Sequence, residues 1–210
     1  MQETLSAPLA DEDDALDLAA LIGSRICHDL NNPLGAIGNG LELMELAGHR
    51  GGPEMALIGQ SVARAKARVQ FLRVAFGAAP AGSRIAGAEL AAIVGDQFAG
   101  GRLTVHWPEL RDVARGEAKL ALLLLMCLES AMPFGGEITV ASDAEGWQLQ
   151  ASATRWRTQE TPWEVVLSRS PAQPDLGAPL VQFALAPQAA ARLGRPVTLE
   201  QGPNRLVLRF

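Results

Sequence analysis

Apolar positions in the first third of the chain recur at steps of three and four. Ile22, Ile26, Leu30, Pro33 or Leu34, Ile37, Leu41 and Met44 form one such stripe, the period of a helix with a single buried face. Asp11 stands at the head of this stretch as an N-cap, and acidic residues fill the first turn, where the helix dipole favours them. "GHRGGP" (48–53) sets helix-stopping glycines before a proline and reads as a turn. A second stripe follows at Met55, Ile58, Val62, Ala65, Val69, Leu72 and Phe76, alternating steps of three and four as a heptad repeat does. A hairpin of two helices with one apolar seam leaves that seam in water, whereas two hairpins side by side cover it as a four-helix bundle. The pattern predicts a homodimer built by residues 11–77, closed by the linker "GAAPAGS" (77–83).

The rest of the chain mixes periods. Helices are predicted at 86–99, 116–131 and 178–193. Strands are predicted at "RLTVHW", "GEITVAS", "WQLQASAT", "WEVVLS", "PVTLEQ" and "RLVLRF", with glycine and proline as punctuation. Helices on an antiparallel-leaning sheet make a layered domain. The predicted fold class is α + α/β, with a helical hairpin over residues 1–80 and an α/β sandwich over 81–210. Trp107, Trp147, Trp156 and Trp163 fall in or near predicted strands, as core or rim.

The polar side of the first helix carries the candidate chemistry. At 100° per residue His28 points away from the apolar stripe, and Ser24, Asn31, Asn32, Gly35, Asn39 and Glu42 fall on its side. Ser24, Arg25, Asn31 and Asn32 stand three or four residues from His28, within reach of its ring. Asp29 is a quarter-turn away and assists only obliquely. Pro33 lacks the N–H that would bond the carbonyl of residue 29, so a bend is expected beside the histidine. Gly35, Gly38 and Gly40 each cost about 1 kcal/mol relative to alanine, and Pro33 about 3. A bare position at Gly35, one heptad from His28, leaves room for another macromolecule. Neutral imidazole is a nucleophile near pH 7, with an ordinary pKa of about 6.5, and Arg25 with the two asparagines can orient or partly neutralise a phosphoryl group on it.

Composition narrows the classes. A net charge of −5 speaks against a general nucleic-acid binder. Two cysteines, Cys27 and Cys127, form neither a CxxC pair nor a disulfide framework, which makes a reducing cytoplasm the default. Cys27 flanks the apolar seam and is read as a packing residue. No apolar run reaches the roughly 18 residues of a membrane span, and the acidic start lacks a signal-peptide pattern. His49 and His106 have no partners at ligand spacing. Arg64, Lys66, Arg68 and Arg73 give the second helix a basic side, read either as a solvated face paired across the hairpin or as steering for acidic partners.

"HDLNNPLGAI" resembles the H-box of sensor histidine kinases, matching at His28, Asp29, Leu30, Pro33 and Leu34. Asn31 stands where those kinases often carry arginine, and Asn32 where a Thr or Asn often assists. The hairpin is similar to their dimerisation domain, and the second half to their Bergerat-type ATP-binding domain. "LLLLMCLESAMPFGGEITV" has the shape of the N-box and its following strand, but Met126 and Ser130 replace the asparagines. No DxGxG or GxGLG segment appears, and "DLGAPL" is the nearest remnant. Without glycine loops for phosphates and a carboxamide for the metal, nucleotide binding loses its chemistry.

An H-box joined to such a domain resembles the ChpT family of bacterial histidine phosphotransferases, as do "SRICHDLNNPLGAIGNGLELM" and "RVQFLRVAFGAAP" in particular. The resemblance implies that His28 accepts phosphate from the receiver aspartate of a CckA-like hybrid kinase and passes it to CtrA-like and CpdR-like response regulators. Arg25, Asp29 and Asn32 then serve the transfer, and Ser24, Asn31, Gly35, Asn39 and Glu42 form the docking face. The receiver supplies its own Mg²⁺, so no ATP, metal or other cofactor is expected on this chain, and neither nucleic acid nor membrane is a partner. A divergent ATP-dependent kinase or phosphatase, and a scaffold that only docks receivers, remain the alternatives.

Overall fold

The computed structural model describes residues 30–31, 34–48, 52–157, 161–167 and 178–210. Residues 34–46 are helical (α1), and α2 runs over Pro53–Phe76 with Gly52 as N-cap and Pro53 in the first turn, where a missing N–H costs nothing. Asp11, Ile22, Ile26, Cys27, Pro33 and His49 lie outside the described residues.

Glycine spacing sets how the two helices meet. A Cβ on Gly38 would stand 2.7 Å from Lys66 Nζ and 3.8 Å from Val62 Cγ1, so the bare position lets α1 lie close along α2. Of the predicted seam, Val62 and Val69 are buried and Ala65, Leu72 and Phe76 half-buried, while Ile58 is exposed. On α1, Leu34 and Leu41 are half-buried, but Ile37 and Met44, like Leu30 before α1, remain 48, 45 and 47% exposed. One hairpin therefore leaves part of its apolar stripe open.

The C-terminal region is built around α4 (Arg115–Ala131). Its stretch Leu120–Leu128 is buried on every side, as an uninterrupted apolar run requires. Strands β1 (Arg84–Ala86) and β3 (Asp112–Ala114) pair antiparallel, with Ile85 opposite Val113. The main sheet contains β2 (Leu103–His106), β4 (Gly136–Ser142), β5 (Trp147–Ser152), β6 (Thr198–Gln201) and β7 (Arg205–Arg209), in the order β2-β4-β5-β7-β6. Only β2 and β4 run parallel. Ile138, Val140, Leu149, Ala151, Leu206 and Leu208 point into the core from alternate positions. Helix α3 (Gly87–Phe98) lies against β2 and α4 against β5, while α6 (Val181–Leu193) packs along α4 after a 3-10 turn at Ala178–Leu180. A helical N-terminal region thus precedes a domain of helices on a mixed sheet.

"WEVVLS" was expected as a strand and forms a short helix instead, α5 (Trp163–Leu167). Pro162 starts it, with its carbonyl accepting from the Val165 N–H. Trp163 and Val166, three apart, are the buried pair, which is a helical step and not a strand's alternation.

Helix α2 belongs to both regions. Phe71, Val74 and Ala75 are part of the C-terminal core, and the Phe71 ring meets Phe98 edge-on at 6.0 Å. Lys119 Nζ on α4 donates to the carbonyls of Phe76 and Gly77 at 3.4 and 2.9 Å. A cation at a helix C-terminus satisfies carbonyls that have no partner within the helix.

Candidate functional site

Helix α1 presents Gly35, Asn39 and Glu42 on one face, at spacings of four and three. Asn39 and Glu42 are exposed, Gly35 is half-buried, and a Cβ on Gly35 would meet nothing within 4 Å. Asn31 is helical and half-buried. Gly38 lies between this face and the apolar stripe, toward α2. The glycines of this segment thus divide their tasks: Gly38 allows helix contact, and Gly35 keeps the polar face low. Ser24, Arg25, His28, Asp29 and Asn32 lie outside the described residues.

The basic side of α2 does not pair across the hairpin at every position. Arg68 reaches Glu129 of α4 at 3.7 Å, and Arg102 approaches the same carboxylate at 4.0 Å. His106 Nε2 lies 2.7 Å from Glu137 Oε1 on the exposed side of β2 and β4. Among the described residues no group of three or more His, Cys, Asp or Glu lies together as a metal site. Nor, among them, is any helix long and apolar enough to cross a membrane.

The N-box-like helix is closed at its C-terminal end. Met126 is buried, the Ser130 hydroxyl donates to its carbonyl at 3.0 Å, and Gln182 Nε2 donates to Ser130 Oγ at 2.9 Å. Next to Gln182, Phe183 takes the Trp163 ring at 5.5 Å, and both are buried. One side-chain pair ties α4 to α6, and Trp163 of α5 packs on Phe183 of α6. Gly135 and Gly136 serve the sheet. With φ of +94° and +153° they turn into β4, where a Cβ would meet the carbonyls of Arg102 and Ser152. Sequence reasoning missed Gln182, and it placed Lys66 on the basic side of α2 without its approach to Gly38, because neither residue lies near its contact in the chain. Two of the four tryptophans, Trp147 and Trp163, are core residues, and Trp107 and Trp156 are half-buried against it.

Residues 87–205 match the family described as Histidine phosphotransferase C-terminal domain. The chain belongs to the histidine phosphotransferase family. The matched stretch is the layered C-terminal domain; the histidine-bearing segment precedes it. Protein phosphotransferase ChpT of Brucella abortus (strain 2308) is 42% identical over 131 residues, 60% of this chain and 61% of that protein. The alignment therefore spans about three fifths of that relative's length. The solved structure of a bacterial phosphotransferase overlays with a TM-score of 0.63 and 27% identity, over 98% of this chain and 99% of the other. The histidine kinase domain of Erythrobacter litoralis EL346 blue-light activated histidine kinase gives a TM-score of 0.39 and 17% identity, over 93% of each chain. Within the histidine phosphotransferase family, then, this member combines an N-terminal helical pair with a C-terminal domain in which Gln182 of α6 bonds Ser130 of α4.

Proposed function

We propose that this protein is a phosphorelay intermediate in two-component signalling, with His28 as the phosphoacceptor. One imidazole nitrogen of His28 attacks the phosphorus of an aspartyl phosphate on a receiver domain. The P–O bond to the aspartate breaks, a P–N bond forms, the aspartate leaves as carboxylate, and the imidazole sheds its proton to solvent. Onward transfer to a second receiver is the same step reversed. Such transfer depends on positioning and charge stabilisation more than on covalent machinery. Arg25 and Asn32 orient the group, Asp29 assists from the side, and the receiver brings the Mg²⁺.

The observation that carries this reading is the "HDLNNPL" segment leading directly into an open polar helix face, in a chain whose C-terminal domain is that of a histidine phosphotransferase. Ser24, Asn31, Gly35, Asn39 and Glu42 form the docking face for receivers of the CckA-, CtrA- and CpdR-like kinds. Residues 1–80 act as the phosphoacceptor stem and 81–210 as the domain that braces it. Leu30, with Ile37 and Met44 on α1 and Leu57 and Ile58 on α2, are exposed apolar positions that a second stem covers, so the working unit is a homodimer.

The test uses a receiver phosphorylated with radiolabel. Label moves to the wild-type chain and not to His28→Ala, and sedimentation gives twice the 22.2 kDa chain mass. Labelling of His28 from ATP without a receiver establishes a kinase instead. A docked receiver that keeps its label establishes a scaffold.

A further inference from the structure

Helix α2 carries Arg64, Lys66, Arg68 and Arg73, and the structure separates them. Arg64 and Arg73 stand exposed, and Arg68 reaches Glu129 of α4 at 3.7 Å. Lys66 is half-buried and turned onto α1 instead. Its Nζ lies 2.7 Å, and its Cε 3.4 Å, from the place a Cβ on Gly38 would occupy. The head of Lys66 thus fills the gap that the bare glycine leaves on α1. Among the described residues no carboxylate stands within ion-pair distance of it, Glu42 and Glu45 of α1 included. An ammonium drawn partly out of water without a counter-charge is unfavourable, and an arriving carboxylate removes that cost.

Its place on the stem says where that carboxylate comes from. Gly38 stands three residues after Gly35, about 4.5 Å along the axis, at the border of the face that carries Gly35, Asn39 and Glu42. On α2, Gly59, Ala63 and Lys66 follow at steps of four and three and share a side. Around Gly35 and Gly59 nothing lies within 4 Å of where a Cβ would stand. The ammonium is therefore approached across short side chains on both helices. We propose that Lys66 is a positioning residue for the receiver: its Nζ–H donates to a carboxylate on the receiver's docking surface and fixes how the receiver seats on the stem. This contact rests on the phosphorelay reading of His28, and it adds a charge pair that neither holds nor moves the phosphoryl group.

The probe is a receiver domain that passes label to the wild-type full-length chain. Lys66→Met keeps most of the side chain's length and removes its charge, so it weakens receiver binding about tenfold and flattens the salt dependence of binding. Lys66→Arg keeps the charge and restores most of the affinity. In label transfer the Lys66→Met loss falls on KM, with kcat within about twofold. When the receiver's acidic residues are changed one at a time to their amides, one change weakens binding to the wild type and not to Lys66→Met, the mark of a direct pair. Lys66 and Lys119 are the chain's two lysines, so acetylation read by mass spectrometry follows Lys66 in the wild type, with no variant that has to fold. Receiver binding protects Lys66 and leaves the Lys119 rate unchanged. If no receiver labels the wild-type chain, the phosphorelay reading falls and this contact with it. If label moves while Lys66→Met binds as the wild type does, while no receiver acid couples to Lys66, while Lys66 stays unprotected, or with the loss confined to kcat, the proposed contact alone is overturned.

Discussion

The carboxamide of Gln182 donates to the Ser130 hydroxyl across 2.9 Å, tying the last turn of α4 to the first turn of α6. Gln182 is only 2% exposed, so its nitrogen has no easy recourse to water. In the resemblance to a kinase N-box drawn from the sequence, Ser130 takes the place of a metal-binding asparagine. Here its oxygen is engaged within the protein, and Phe183, next to Gln182 in the chain, meets the Trp163 ring edge-on. The physical claim is that this junction serves as packing, which makes it open to mutational test.

Ser130→Ala leaves the buried Gln182 nitrogen without an acceptor and is expected to destabilise the fold by about 1–3 kcal/mol. Adding Gln182→Leu removes the orphan and recovers most of that loss. Urea unfolding of the two single variants and the double variant measures the coupling. Ser130→Asn should still fail to take label from ATP; labelling of that variant would mean the junction remains a nucleotide site.

Gly35 allows stability to be tested apart from the docking proposed for it. A Cβ there meets nothing within 4 Å, so Gly35→Ala should stabilise the chain by up to about 1 kcal/mol through helix propensity. Gly35→Leu raises the polar face and is expected to slow label transfer from a phosphorylated receiver at least tenfold. Unchanged transfer in a folded Gly35→Leu protein would remove Gly35 from the docking face.

Gly38 behaves differently because its Cβ would press on Lys66 Nζ, the far end of a flexible side chain. Gly38→Ala should fall between neutral and about 1 kcal/mol stabilising, as Lys66 swings aside and the helix gains propensity. Gly38→Leu has to displace Val62 as well and should destabilise by about 1–3 kcal/mol. Thermal melts of both variants decide this.

Gly87 opens α3, and its space is closed by backbone that cannot move aside. A Cβ would overlap the Leu110 carbonyl, with the Arg111 carbonyl 2.9 Å away. The Gly87 N–H also donates to Arg111 O. Gly87→Ala should therefore cost about 3 kcal/mol or more, at the upper end of overpacking effects, and be read as a large drop in the urea midpoint.

These cases show which features the chain reveals without its structure. The faces of α1, the heptad stripe of α2 and the buried run of α4 follow from periodicity alone, since each is a local pattern. Strands β1 and β3 escaped because three residues are too few to show alternation, and their pairing joins Arg84 to Ala114. "WEVVLS" misled because its apolar residues suit a strand as well as a helical turn, and Pro162 was the decisive signal. On α1 the exposed positions Asn39 and Glu42 were legible from the helical period, while the partners of Gly38 and Ser130 were not. Lys66 and Gln182 arrive from distant turns and leave no mark near the residues they touch.

Cys127 supplies a probe of opening across the whole C-terminal domain. It is fully buried, and burial pushes its thiol well above the ordinary value. Below a pH of about 8.5 both folded and unfolded chains keep the proton, and the group makes no pH-dependent contribution. As pH rises past that value the unfolded chain ionises first while the folded one holds its proton. Stability then falls, by up to about 1.4 kcal/mol per pH unit from this group. In a Cys27→Ser background, urea midpoints from pH 8 to 10 should decline more steeply with Cys127 present than in Cys127→Ala. Under native conditions the remaining thiol should react with an aromatic disulfide reagent only as fast as the domain opens. Rapid labelling in the folded state, or equal slopes in the two proteins, would show that this thiol is accessible and that the α4 core is looser than its packing indicates.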